Sequence, residues 1–182
     1  MSPSPTPPVA AGAPALDADR ARDAFARVPS AVTVVTARGA DGLAGCTASA
    51  VVPVSLRPPS LLVSLGEDSS TLGVLLDAGS FAVNVLTWQD RDLARRFATG
   101  SAADRFAGLD VREVAGVPAL PRCAALLVCE VREHRPCLDH VLVVGAVVRA
   151  EDGTAPATVL RERAHHAVPC PHGPGPDHDH HR

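Results

Sequence analysis

Two groups of hydroxyl side chains in this sequence have the types and spacing to hold a ligand. The first lies in GCTASAVVPVSLRPPSLLVSL, residues 45–65, and contains Thr47, Ser49 and Ser55. The second is the run Ser69, Ser70 and Thr71. A Ser49, His140 and Asp139 triad can be assembled on paper. Adjacent Asp and His residues on a strand point to opposite faces, however, which argues against a relay. Binding is the better use. Neutral hydroxyls and exposed backbone N–H groups hold phosphate, sugar and carbonyl oxygens. The second group precedes a predicted helix, where N–H groups and the helix dipole favour an anion. The same residues would also serve as simple N-caps. Two such groups near strand ends point to a phosphorylated ligand.

Composition narrows the chemistry. The chain has 182 residues, 46% hydrophobic and 20% charged, which suits one ordinary domain. It contains no Lys and no Tyr, and Arg supplies all 17 positive charges. Schiff-base and P-loop lysine chemistry are therefore excluded, as is a phenolic acid or base. A net charge of −3 gives no electrostatic footprint for nucleic acid or an anionic membrane. Apolar runs are short and interrupted, and the N-terminus lacks the pattern of a secretory signal, so a cytoplasmic location is expected. Five cysteines, none in a C-x-x-C pair, read mostly as small buried thiols rather than a disulfide framework. Six of the eight histidines fall in the last 18 residues. That Pro/Gly-rich tail is expected to be solvated rather than a metal site, and no metal ligands are assigned.

The elements that must position these residues follow from pattern. Residues 1–15 and 169–182 are expected to be disordered, flanking a single domain over 16–168. Asp17 or Asp19 should cap a helix to about Arg27, with Leu16, Ala21, Ala24, Phe25 and Val28 on its apolar side. Strands are expected at Ala31–Arg38, then across a GADG turn at about Leu43–Val52, with Pro53, Pro58 and Pro59 interrupting before Ser60–Leu65. A short helix closed by Gly79 follows, then a strand at Phe81–Leu86. A helix over Gln89–Ala98 should carry Trp88, Leu93 and Phe97 on its apolar side, and Ala103–Gly108 adds a helical turn. Two long strands, Ala124–Arg135 and His140–Ala150, come next, and beyond Asp152 the pattern fades. Strands joined by short turns predict an antiparallel, closed barrel. No G-x-G-x-x-G motif supports a Rossmann site.

In combination, FARVPSAVTVVTAR, GCTASAVVPVSLRPPSLLVSL, SSTLGVLLDAGSFAVNVL, LARRFA, DRFAG and DHVLVVGAVV resemble the flavin reductase-like family over about Ala24–Arg149. The resemblance implies a mainly β protein with short helices, an antiparallel split β-barrel of the FMN-binding type. It implies an NAD(P)H:flavin oxidoreductase that supplies reduced FMN or FAD to a partner monooxygenase, and a homodimer with flavin at the subunit interface. Carried onto this chain, it sets Thr47, Ala48 and Ser49 along the isoalloxazine and ribityl chain, with Val54 and Ser55 on the strand beside them. It sets Ser69, Ser70 and Thr71 at the flavin phosphate. Asn84 would lie near the flavin, although its carboxamide could equally satisfy buried backbone groups. Phe106 would pack near the ligand, and His140 would stand close to the nicotinamide. The cofactor would carry the redox chemistry, so the missing Lys is no obstacle.

Two departures from the family stand out. The loop after the Ser pair has no basic residue, so a phosphate would draw on hydroxyls, backbone and an Arg such as Arg57, Arg96 or Arg105. The C-terminal segment ATVLRERAHHAV has no Tyr to close the site, leaving His165 as a substitute. This keeps a second reading open: a split-barrel protein that retains its flavin, acting on another substrate or not catalytic.

Overall fold

The computed structural model describes residues 16–169, so the expectations for residues 1–15 and for the tail beyond Pro169 lie outside the described residues. The elements in order are α1 (Ala18–Phe25), β1 (Ser30–Ala31), β2 (Thr33–Gly39), β3 (Gly42–Ala48), β4 (Val51–Leu56), β5 (Pro59–Gly66), α2 (Ser70–Ala78) and β6 (Ser80–Val85). They continue with α3 (Asp92–Thr99), α4 (Ala102–Phe106), β7 (Arg112–Val114), β8 (Val117–Ala119), β9 (Ala125–Cys137), β10 (His140–Asp152), β11 (Ala157–Arg161) and β12 (Ala164–Val168).

Seven strands form one antiparallel sheet in the order β3-β2-β6-β9-β10-β5-β4. Its inner face buries Val35, Val63, Phe81, Val83 and Val143 completely, and this is the main core. Alternation on β5 puts Leu61, Val63 and Leu65 inside, as a strand with one covered face requires. The sheet curls but does not close. Its outer strands, β3 and β4, are joined in sequence through Ser49 and Ala50, where the Ser64 N–H donates to the Ala50 carbonyl. The ring of strand pairing expected from the sequence is thus split at β3, which is paired only to β2.

Pro53 does not end its strand. It sits inside β4 at a register shift opposite β5, and β4 is an edge strand with no partner to miss the N–H. The expected continuous strand over 43–52 is therefore two strands turning at Ser49–Ala50. Helix α2 buries Thr71, Leu72 and Leu75, and ends with Gly79 in the left-handed conformation (φ 68°). Each buried Leu contributes about 1.5–3 kcal/mol.

Helix α3 begins later than expected, at Asp92. Thr87 Oγ1 donates to Asp90 Oδ2 and accepts from the Asp90 N–H, which locks residues 87–90 in a turn. Trp88 thus lies outside the helix and stacks under the Arg91 guanidinium, 4.5 Å from the ring centroid. The apolar side expected for α1 is not covered by the described residues: Leu16, Phe25 and Val28 are exposed, and no residue of α1 is buried. Past Asp152, β11 and β12 form a hairpin that pairs with β1. No described helix is long and apolar enough to cross a membrane.

Candidate functional site

The free edge of β3 and the start of α2 face one another across a cleft of about 320 Å³. Its walls are Cys46–Ala50, Ser64–Gly66, Asp68, Ser69 and His140. The sheet topology brings these together. The β10–β5 register sets His140 opposite Gly66, and the chain leaves Gly66 directly into α2. β3 is paired on one side only, so its Cys46–Ala48 backbone borders the cleft, although the Ala48 carbonyl already accepts from Thr33 Oγ1 at 2.6 Å.

His140 is bonded through Nδ1 to Asp139 Oδ1 at 2.8 Å. This corrects the argument that adjacent Asp and His diverge. Asp139 is not on the strand but in the two-residue turn before β10, next to Leu138 at φ 58°, and its carboxylate folds back onto the ring. The His140 hydrogen bond holds the Asp139 carboxyl below the usual carboxylate range. With Nδ1 engaged, Nε2 is the ring nitrogen left for another partner. Ser49 shares this cleft, but no hydrogen bond links it to His140 among the described residues.

The other expected residues divide sharply. Thr47 lines the cleft, yet its hydroxyl donates to the Ala94 carbonyl of α3 at 2.5 Å and is spent on packing. The Ala48 side chain is in the core, so its backbone alone can serve a ligand. Ser49 is exposed in the cleft. Ser69 is the N-cap of α2 but makes no side-chain cap bond, and its hydroxyl reaches only the Cys46 sulfur, at 4.0 Å. Its oxygen and the first N–H groups of α2 are therefore available to an anion.

Thr71 is fully buried with no nitrogen or oxygen partner for Oγ1, which rests against the Cys46 thiol. Its side chain supports the floor, which leaves only its backbone N–H to serve a ligand. Ser70 faces a second cleft on the other side of the α2 N-terminus, as does Phe106. Phe106 packs edge-on against Phe97, with ring centroids 5.0 Å apart. Val54 and Ser55 do not line the first cleft. Val54 is exposed on β4, and the Ser55 hydroxyl accepts from the Arg57 N–H in the β4–β5 turn.

Asn84 is a structural brace. Its Nδ2 donates to the Val34 carbonyl at 2.9 Å and to Thr36 Oγ1 at 3.0 Å, and its Oδ1 accepts from the Leu120 N–H at 2.9 Å. It is fully buried and lines neither cleft. His165 belongs to β12 and is likewise absent from the cleft walls.

Cys46 is among the cleft residues that the sequence did not single out for binding, with Ala50, Ser64, Leu65, Gly66 and Asp68. Burial pushes its thiol up, partly offset by the Thr71 and Ser69 hydroxyls and the charge of Arg105. Among the three arginines considered for a phosphate, position selects Arg105. Its Nε donates to the Gly100 carbonyl and Nη1 to the Gly45 carbonyl at 2.8 Å, fixing the guanidinium against β3. Arg96, whose guanidinium donates to the Asp104 and Ala107 carbonyls, and Arg57, in the β4–β5 turn, line neither cleft.

Residues 25–167 match the flavin reductase like domain. The chain is 41% identical to the actinorhodin polyketide dimerase of Streptomyces coelicolor over 153 residues, 82% of this chain and 86% of that one. It is 38% identical to the NADH:riboflavin 5′-phosphate oxidoreductase of Streptomyces pristinaespiralis, covering 88% of this chain and 93% of that one. Its fold is similar to BorF, the flavin reductase component of a bacterial two-component tryptophan halogenase. There the TM-score is 0.77 at 29% identity, covering 85% of this chain and 99% of that one. A split-barrel fold together with a domain match over residues 25–167 places the chain in the flavin reductase-like family.

Proposed function

We propose that this chain is an NADH-dependent flavin reductase that supplies reduced FMN or FAD to a partner monooxygenase in the cytoplasm. The observation that carries the reading is the β3-edge cleft: a strand edge, a helix N-terminus with no side-chain cap bond and, on its wall, a histidine held by a carboxylate. These residues fit a flavin. Small residues at Ala48, Ser49 and Ala50 allow a flat ring system close to backbone. Ser69 and the α2 N-terminus would hold the phosphate, with Arg105 beside them.

When bound, the flavin supplies the two-electron acceptor for hydride delivered from the nicotinamide. The protein's part is positional. Asp139 holds the His140 ring through Nδ1, which leaves Nε2 to orient the nicotinamide carboxamide or offer a proton near the reduced ring. A shallow, open cleft also suits a flavin that leaves after reduction.

The chain works as a homodimer in this reading. Edge strand β4, which runs directly from the cleft, exposes Val52 (54%), Val54 (56%) and Leu56 (86%). A contiguous apolar strip on an unpaired edge needs a cover. A second copy would cover it and supply the missing wall of the cleft. This gives Val54 an interface role in place of direct contact with the flavin.

The test is NADH consumption in air by the purified protein, with and without added FMN, FAD and riboflavin. Turnover that saturates with flavin supports the reductase. Tight flavin binding without turnover would favour the flavin-retaining alternative.

A further inference from the structure

Thr71 carries a hydroxyl that the fold does not use. Its Oγ1 is fully enclosed and has no partner at hydrogen-bond geometry. A buried O–H without an acceptor is costly and rare. The polar group it lies against is the Cys46 thiol, which lines the β3-edge cleft. Ser69 Oγ stands 4.0 Å from the same sulfur. Three small polar side chains from two elements thus meet at the cleft wall: Cys46 of β3, with Ser69 and Thr71 from the start of α2.

Proton directions follow from what each group can accept. Thr71 O–H has the Cys46 sulfur as its neighbouring acceptor. Ser69 O–H also donates toward that sulfur, but over 4.0 Å, a long contact that is cheaply given up. Ser69 is the N-cap of α2 and makes no side-chain cap bond, so the helix makes no claim on its proton. Asp68, the residue before it, also lines the cleft. A Ser69 hydroxyl presenting lone pairs would add to that carboxylate in repelling an anion, whereas one presenting its proton offsets it. Something must then fill the acceptor side of Ser69 Oγ, and the Cys46 S–H is in place to do so. Burial pushes this thiol up, so it keeps its proton, and its donor role, through neutral pH.

We propose that Cys46 and Thr71 are positioning residues for a phosphate in the first cleft: Thr71 O–H donates to Cys46 Sγ, Cys46 S–H donates to Ser69 Oγ, and Ser69 O–H is directed at the phosphate. The inference rests on the flavin reading of that cleft. A chain of donors that ends on an anion polarises along its length, so two residues that never touch the ligand strengthen the last bond. The relay serves a phosphorylated flavin and does nothing for uncharged riboflavin.

Thr71→Val keeps the shape of the side chain and removes the first donor, and Cys46→Ala breaks the chain at its centre. FMN and riboflavin affinities are measured by fluorescence quenching on each full chain, with thermal melts to show that it is folded. Riboflavin lacks the phosphate, so its affinity reports the rest of the cleft. The expected result is an FMN margin over riboflavin that falls about fivefold in both variants. Cys46→Ser, whose hydroxyl accepts from Thr71 and donates to Ser69, should keep most of that margin. In a Ser69→Ala background Thr71→Val should leave the margin where it was, because the relay acts only through Ser69. A margin equal to the wild type in either single variant, or one that falls as far in the Ser69→Ala background, would overturn the relay and leave the reductase reading intact. A wild type that binds neither flavin would overturn both.

Discussion

Asn84 offers the sharpest separation of a structural from a cofactor-binding role. Its carboxamide ties β6 to β2 through the Val34 carbonyl and to the segment after β8 through the Leu120 N–H. Replacing it by Ala strands the Leu120 N–H in a fully buried place, at about 1–3 kcal/mol. The vacated volume and the lost bond to Val34 add about 1 kcal/mol. Thr36 loses only an acceptor role, because its own hydroxyl still donates to the Pro118 carbonyl at 2.5 Å. The sum is about 2–4 kcal/mol of destabilisation, a Tm lowered by roughly 5–15 °C for a chain of this size. Urea unfolding and calorimetry measure it. In the cold, where the variant remains folded, the FMN dissociation constant should match the wild type. A variant of unchanged stability that binds flavin poorly would refute the structural assignment and restore Asn84 to the flavin site.

Four further outcomes follow from the geometry. Asp139→Asn should lower kcat for NADH oxidation several-fold with little change in flavin affinity, because it frees the His140 ring without removing it; equal kinetics would remove the pair from the site. Gly145→Ala should destabilise by about 1–3 kcal/mol, since a Cβ there would stand 2.7 Å from Phe81 and 2.8 Å from Cys129; neutral urea unfolding would contradict the packing. Iodoacetamide at pH 8, in a Cys170→Ser background, should modify exposed Cys137 first and spare Cys123 and Cys129, whose thiols burial pushes up to about 11 and about 12. FMN should slow modification of Cys46, and mass spectrometry that finds Cys46 indifferent to FMN would displace the flavin from the cleft.

The fourth concerns pH and Asp90. Burial pushes the Asp90 carboxyl up, but hydrogen bonds from Arg122 and Thr87 with the Arg122 charge outweigh it and hold the group below its usual range. A folded-state pKa below the unfolded one means stability that is present above about pH 4 and lost as pH falls through the lowered value. Asp90→Asn should therefore flatten the acid limb of the stability profile, and an unchanged limb would refute the pairing.

The legible parts of the fold were those where one residue type forces one conformation. Gly79 closed α2 where expected, and the alternation of Leu61, Val63 and Leu65 announced an inward-facing strand. Two hairpins escaped because their turns break the usual residue rule. Positive φ falls on Ala115 with Gly116, and on Glu162 with Arg163, where Asn or Gly would have been the signal. Pro53 misled for the opposite reason, since a proline costs an edge strand little.

The site was half legible. Thr47, Ser49 and Ser69 of the hydroxyl clusters do line the β3-edge cleft, but the sequence could not say which hydroxyls the fold itself consumes. Thr47 is spent on Ala94, Ser55 on Arg57 and Thr71 on the core, which leaves Ser49, Ser69 and the strand edge for a ligand. Cys46 went unassigned because a small thiol in an apolar strand reads as core. The Asp139 contact depended on a turn boundary one residue before His140.

The central claim is that the β3-edge cleft brings NADH and flavin together for hydride transfer. Anaerobic stopped-flow mixing of the FMN-loaded protein with NADH tests it most directly, by the loss of oxidised-flavin absorbance. The account predicts bleaching that saturates with NADH, runs far faster than with free FMN, and slows in His140→Ala at unchanged FMN occupancy. Bleaching at the free-FMN rate, with FMN demonstrably bound, would contradict it.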